Sequence, residues 1–326
     1  MGLPRRQFLQ FAAGTALLPI VSRLAWAQTW RTKPIRAIVP FTAGSASDIV
    51  ARTVFEFLSE RLGQSIIVEN RTGAGGTIGA TVVAKADPDG YTILVNSSSH
   101  TVIPSLYPNA PYNTAYDFSG VIPLGSMSNV LVVAPSKGFK NLHELVAAAK
   151  AKPGSISYAS AGIGSATHFS TERLRLSAGF GGVHIPFRGT PEAYSEVLTG
   201  RVDFFFGTLA SALPFIRDGK LQALAVSTPK RASALPDVPT TLEAGFADSD
   251  YTFWVGVFVP AKTPNTIIEK LHQKLSEILQ SATVRERLAT LGVDPMPMSP
   301  AELDALVRAE ITANAAVIKA ANIGMK

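Results

Sequence analysis

The chain has 326 residues, a formal charge of +6 and 46% apolar content, and it contains no cysteine. The length suggests two domains at roughly 150 residues each and the composition supplies a sizeable core, while the missing cysteines exclude disulfides and thiolate metal ligation. Three of the arginines, Arg5, Arg6 and Arg23, sit at the N-terminus and the other basic residues are scattered, which excludes a blocked basic face for nucleic acid.

Arg5-Arg6-Gln7-Phe8-Leu9 resembles the twin-arginine export motif, and a weakly apolar run over 11–21 follows it. That run is shorter than the ~20 residues a membrane span requires, and Arg23 interrupts it. Ala25-Trp26-Ala27 fits the small-x-small cleavage rule. The expectation is a signal peptide over 1–27, cleaved after Ala27, and a soluble mature chain outside the cytoplasm.

Residues 35–39 form a short, apolar, β-branched run that Pro40 ends, as a buried strand would. Thr42 to Ser47 are small and hydroxyl-rich, and Ile49, Val50, Val54, Phe57, Leu58 and Leu62 then recur at helical spacing until Gly63. A loop that opens a helix presents free N–H groups and a positive dipole end, which suits an anion. An ordinary tight βα turn has the same composition. A strand over 65–70, a glycine-rich turn over 71–76, a short helix over 77–86 and a strand over 91–95 follow, the last running into Asn96-Ser97-Ser98-Ser99-His100. The alternation predicts a parallel sheet with right-handed crossovers, which places both hydroxyl-rich loops at the carboxyl edge where ligands bind.

A second unit starts near Asn129. Its predicted strands cover 130–134, 156–159, 183–187, 202–206 and 221–226. Asn141 and Glu144 form a capping box for a helix over 142–151. The loop 160–168 repeats the opening motif and leads into a helix through Leu174. Pro191 suits the first position of a helix after Arg188-Gly189-Thr190. An extended run over 253–260 returns the chain to the first unit. The tail is helical, with apolar stripes from Ile267 to Leu279, a short helix over 284–291, and a capping box at Ser299 and Glu302 before Leu303, Leu306, Val307 and Ile311.

Catalytic patterns are missing. There is no G-x-S-x-G elbow, no phosphate loop ending G-K-[ST] and no pair of histidines at metal-ligand spacing. Gly73-Ala74-Gly75-Gly76-Thr77-Ile78-Gly79 has the wrong spacing and position for a dinucleotide loop. His100 and His168 fall at loop ends on the expected cleft, as core histidines or as ligand contacts. Arg188 is the single basic side chain in those loops, either a ligand partner or half of a surface ion pair.

Together, P-I-R-A-I-V-P-F-T-A-G-S-A-S-D-I-V-A-R, V-E-N-R-T-G-A-G-G-T-I-G-A, D-P-D-G-Y-T-I-L-V, L-Y-P-N-A-P-Y-N, I-S-Y-A-S-A-G-I-G-S-A-T-H, V-H-I-P-F-R-G-T-P-E-A, L-P-D-V-P-T-T-L-E-A-G and P-A-K-T-P-N resemble the substrate-binding proteins of tripartite tricarboxylate transporters, the TctC-like or Bug receptors. The resemblance runs in order along essentially the whole mature chain. It implies an α/β fold of the two-lobe, type II periplasmic binding protein kind with a hinge, with lobe 1 over 28–128 and 252–326 and lobe 2 over 129–251. It also implies a monomer that is not an enzyme, captures a small organic carboxylate and passes it to the large and small membrane permease subunits, with neither cofactor nor metal. The expected ligand site comprises Phe41, Ala43, Gly44, Ser45, Ser47 and Asp48, then Asn96, Ser98 and His100. The second lobe adds Ala161, Gly162, Ser165, Thr167 and His168, then Arg188, Gly189, Thr190, Gly207 and Thr208. Two departures stand out: Ser45 replaces the second glycine of the family's first loop, and Gly207-Thr208 replaces a frequent Asp-Asn. Loss of that carboxylate would favour a plain organic acid, aromatic ones included, over an amino acid. A periplasmic sensor for a signalling partner, or an exported cofactor enzyme, are the alternatives.

Overall fold

Strand β1 (Ile35–Val39) carries three consecutive buried aliphatic or small residues at its end, so it enters the core and not an edge. The structure is a computed structural model describing residues 33–320 and Ile323. The twin-arginine segment, the apolar run and the Ala27 cleavage site lie outside the described residues. After Pro40 the chain turns at Gly44, whose φ of 79° is costly for a residue with a side chain. It then enters α1 (Ala46–Leu62), which Gly63 closes in the left-handed conformation. Val50, Val54 and Leu58 of α1 are fully buried against the sheet, each worth ~1.5–3 kcal/mol of transfer free energy.

Strands β2 (Ile66–Asn70) and β3 (Thr92–Ser97) flank β1 and run parallel to it, with α2 (Thr77–Ala84) crossing between them. A 3₁₀ turn at Ser98–Thr101 and the single-turn α3 (Ile103–Leu106) follow β3. Then comes β4 (Phe118–Val133), sixteen residues long, of which the sequence pattern revealed only the end. Gly120, Pro123, Gly125, Ser126 and Ser128 break the apolar run. The ladder absorbs them with register shifts between Gly120 and Ile122 and between Pro123 and Gly125.

Helix α4 (Leu142–Ala151), β5 (Ser157–Ser160), α5 (Ala166–Ala178), β6 (Val183–Pro186), α6 (Thr190–Leu198), β7 (Phe204–Thr208), α7 (Leu209–Arg217) and β8 (Gln222–Val226) follow. Strand β9 (Thr252–Pro260) then returns, and α8 (Asn265–Gln280), α9 (Ala282–Thr290) and α10 (Pro300–Ala320) complete the described chain. The strand order is β2-β1-β3-β9-β4-β7-β5-β6, with β8 paired to β4. The parallel pairing expected of the first strands holds for β1, β2 and β3, whereas β9 runs antiparallel to β3 and β4, and β4 runs antiparallel to β7 and β8. A strand arriving after a long excursion needs no crossover helix, so it inserts in either direction.

Two lobes result. One is built on β1, β2, β3, β9 and the start of β4. The other is built on β5, β6, β7, β8 and the end of β4. Strand β4 belongs to both: it pairs with β9 through Ser128 and with β7 from Asn129. The main core of the first lobe also takes in Ala166, Phe169 and Ala210 from the second, so the lobes pack together in this conformation.

Candidate ligand-binding site

Four helices begin at one place. Ser45 is the N-cap of α1, Ser165 of α5 and Thr208 of α7, and Thr190 is the first residue of α6 after its cap Gly189. All four residues line a small cavity at the carboxyl edge of the strands. Phe41, Ser47, Ala161 and Thr167, also expected, line it as well. Its wall holds no charged side chain. The field inside therefore comes from hydroxyls, backbone N–H groups and the positive ends of helix dipoles, which favour an anion.

The two serine caps differ. Ser165 Oγ accepts from the backbone N–H of His168 at 3.2 Å and touches Thr167 Oγ1 at 3.0 Å, while Thr167 Oγ1 accepts from the N–H of Ala161 at 3.0 Å. The hydroxyls of the second-lobe loop are thus partly engaged in holding its shape. Ser45 has extended cap geometry, yet its side chain makes no cap bond. Its buried Oγ is unpartnered, as is the buried Oγ1 of Thr190. Buried hydroxyls of this kind cost free energy unless something bonds them.

Other expected residues are placed differently. Asp48 is a brace: its carboxylate accepts from the N–H of Gly44 at 3.0 Å, from Asn70 at 2.9 Å and from Arg52 at 3.0 Å. Burial pushes its pKa up, but the bonds from Arg52, Gly44 and Asn70 outweigh this and hold it below the ordinary value. Ala43 and Gly44 are exposed on the rim. Asn96 folds back on its own chain, its Oδ1 accepting from the N–H of Ser97 at 2.8 Å, and Ser98 receives the hydroxyl of Tyr251 at 2.8 Å. Their neighbour Ser97 is the one that lines the cavity.

His100 is fully buried beside Asn96 and between the rings of Phe118 and Phe258, away from the cavity wall, and burial pushes its pKa down to about 3. His168 stacks on His184 with ring centroids 4.1 Å apart and accepts from the N–H of Gly164. Burial and the charge of Arg175 lower its pKa to about 4. Both histidines are core side chains and neither is on the cavity wall, since each imidazole is used to fill space behind a loop. Gly207 is the penultimate residue of β7 and faces away from the cavity. A Cβ there would lie 2.3 Å from the Tyr194 hydroxyl, which bonds the carbonyl of Thr208. The alternation of the strand sends Thr208, not Gly207, to the site.

Gly162 and Arg188 line a second, open cavity with Phe41, Ala161 and the 73–76 turn. It shares Phe41 and Ala161 with the first and forms its mouth. The exposed Arg188 therefore stands at the entrance, and its backbone N–H bonds Glu192. Gly189 faces Thr42 across the lobes, so close that a Cβ would fall 1.8 Å from Thr42 Oγ1. Phe253, Ala46 and Ala166 also line the cavity and were not expected. Phe253 carried no local signal, because only its pairing with β4 brings it there.

This architecture defines a class: a two-lobe α/β protein of the periplasmic binding protein kind. The TctC signature of the tripartite tricarboxylate transporter family receptor matches residues 50–323. The chain belongs to that family. BugT of Bordetella pertussis is 35% identical over 302 residues, covering 92% of this chain and 93% of BugT. Among solved structures, an R. palustris protein with adipate superposes with a TM-score of 0.87 at 32% identity, covering 91% of this chain and 100% of the other. MatC from Rhodopseudomonas palustris with bound malate gives 0.84 at 34% identity, covering 88% and 99%.

Proposed function

We propose that the protein is a periplasmic receptor that closes its two lobes on a small organic carboxylate and presents it to the membrane subunits of a tripartite transporter. The observation that carries this reading is the convergence of four helix N-termini on a cavity without charged side chains. A carboxylate offers about four lone-pair sites and no donor, which suits Ser45, Thr190 and the loop N–H groups. A cationic ligand would meet only positive dipole ends. The adipate and malate bound by its structural relatives support the same chemistry.

Lobe 1 comprises 28–128 and 252–326 and lobe 2 comprises 129–251, with the hinge where β4 passes from β9 to β7 and the chain re-enters at the start of β9. Export by the twin-arginine route and cleavage after Ala27 complete the reading, with a monomeric mature chain that uses neither cofactor nor metal. Among the described residues no helix is long and apolar enough to cross a membrane. The test is calorimetry of the mature protein against a panel of mono-, di- and hydroxycarboxylates and the corresponding amines. Carboxylates alone should bind, with thermal stabilisation near 2.7 kcal/mol, roughly, at ~100 times the dissociation constant. Binding of the amines, or of no carboxylate, overturns it.

A further inference from the structure

A further cavity opens in the first lobe, between β4, α8, α9 and the segment that follows α9, and it shares no residue with the cavity where the four helices begin. Its inner wall is Ile122 and Leu124 of β4, Leu288 of α9 and Val293, each at most 6% exposed. The backbone holds this space open. Val293 seats on Gly125, where a Cβ would fall 2.5 Å from Val293 Cγ1. Ser126 and Asp294 exchange backbone bonds at 2.9 and 2.7 Å. Pro295 and Pro297 have no N–H to continue that ladder, and His272 Nε2 bonds the carbonyl of Met298 at 3.2 Å. The segment is thus fastened at both ends and bridges the cavity between them. The rim is polar. Ser276, Leu279 and Gln280 share one face of α8, and Arg285 and Leu288 share one face of α9. Gln280 donates to Ser276 Oγ at 3.0 Å, so these two satisfy one another. Arg285 is exposed and is the one charged side chain on the wall. Its guanidinium has no hydrogen bond or ion pair with any described residue. Arg287, two residues on, is by contrast held by Glu56 at 2.8 Å and lies over the ring of Phe57.

We propose that this cavity is a separate binding site for a medium-chain alkyl monocarboxylate, its tail against Leu124, Leu288 and Val293 and its carboxylate on Arg285. The inference goes beyond the carboxylate reading of the cleft and does not depend on it. An apolar interior with one uncommitted cation at its opening is complementary to an amphiphile with a single negative head. The planar guanidinium bonds a carboxylate through two parallel N–H groups. The tail gains free energy in proportion to the apolar surface it removes from water. A short dicarboxylate would have to bury its second charge against aliphatic side chains. An alkylamine would bring a like charge to Arg285 and find no acceptor carboxylate on the wall.

The experiment is calorimetry on the mature protein with butyrate, hexanoate, octanoate and decanoate, each below its micellar concentration, and with octylamine. Affinity should rise about threefold to fourfold per methylene from hexanoate to octanoate, and octylamine should not bind. Arg285→Gln, at an exposed position, should leave the melting temperature unchanged and weaken octanoate about tenfold. Ser276→Phe fills the cavity from α8 and should abolish octanoate binding. Ser45→Ala, in the cleft, should leave octanoate affinity as it is. The proposal is overturned if no alkyl carboxylate binds, if affinity is independent of chain length, or if octanoate binding survives both Arg285→Gln and Ser276→Phe. Loss of octanoate binding in Ser45→Ala would place it in the cleft and overturns the proposal as well. Short di- and hydroxycarboxylates titrated into the same proteins report on the cleft alone. Their affinity should be the same in Arg285→Gln, Ser276→Phe and the wild type, and their failure to bind counts against the cleft reading only.

Discussion

The hydroxyl of Tyr107, in the first lobe, donates to the carbonyl of Ile163, in the second, at 3.1 Å. Burial raises the Tyr107 pKa, so the phenol keeps its proton and remains a donor throughout the neutral range. On the opposite side of the cavity Thr208 donates to Ser211 Oγ at 3.3 Å, and Ser211 donates to the carbonyl of Gly44 at 3.2 Å. Two bonds thus join the lobes and flank the site. They exist only when the lobes are together, and such differential contacts are what shift an open–closed equilibrium. Tyr107→Phe and Ser211→Ala should each weaken carboxylate binding by about 1 kcal/mol, roughly fivefold. Stopped-flow kinetics should show the loss in dissociation and not in association. A slower association would mean that these groups guide entry.

Gly189 sets how closely the lobes approach. Its backbone is extended, with φ of −175°, so alanine is compatible with the local conformation. The added Cβ would nevertheless fall 1.8 Å from Thr42 Oγ1 and 2.9 Å from Thr42 Cβ. Gly189→Ala should therefore hold the cleft ajar, at an overpacking cost of about 1–3 kcal/mol felt only on closure. Small-angle scattering should show the ligand-induced contraction reduced, with unfolding of the ligand-free protein little changed. Thr42→Gly in the same chain should restore closure. A melting temperature that falls with Gly189→Ala alone would place the damage in the fold.

The contrast between Ser45 and Ser165 is separable by two measurements. Ser165→Ala removes a helix cap and should cost about 1 kcal/mol of stability in urea unfolding without ligand. Ser45→Ala removes a hydroxyl that bonds nothing in the protein, so stability should change by less than about 0.5 kcal/mol. Its carboxylate affinity should still drop by about 1 kcal/mol. Equal stability losses in both variants would show that Ser45 braces its loop in solution.

His100 predicts an acid-sensitive fold. Its ordinary pKa of 6.5 falls to about 3 because burial penalises the imidazolium. Between those values the unfolded chain binds a proton that the folded chain does not, so stability is complete above about 6.5 and is lost as pH falls toward about 3, at up to about 1.4 kcal/mol per pH unit for this group. His168 and His184, lowered to about 4 and about 3, act in the same direction beside Glu172 and Arg175. Urea unfolding at about pH 7 and about pH 5 should show a smaller difference in His100→Leu than in the wild type. An unchanged pH slope would mean that His100 is charged in the folded state.

The strand–loop–helix units at 35–62 and 157–178 were readable because Ile, Val and Tyr runs end at clusters of Ser, Thr and Gly, and because the helices carry clear stripes and caps. The loops at 41–47 and 161–167 followed from the same contrast. What lay beyond the sequence was set by pairing across long distances. Phe253 reaches the site through the pairing of β9 with β4, and β4 hides behind Pro123 and four glycine or serine interruptions, with register shifts near the first of them. Orientation was also invisible: Gly207 and Thr208 are adjacent, yet alternation sends one to Tyr194 and the other to the cavity. Asp48, His100 and His168 have the chemistry of ligand contacts, and only their partners show them to be braces and filling.

Ser128 and Thr252 stand opposite one another in the ladder of β4 and β9, so the second lobe leaves and re-enters the first at one point. Strand β9 nevertheless lies between β3 and β4, with Leu94 against Phe258. On the ribosome, the first lobe must therefore wait for the entire second lobe to be made before its own sheet can be filled. Pairings of such separation are slow to form, and until they do β3 exposes an unpaired edge. The second lobe, whose strand pairings all lie within 129–226, is the part placed to fold first, and refolding should pass through a state in which it is structured while β3 awaits its partner.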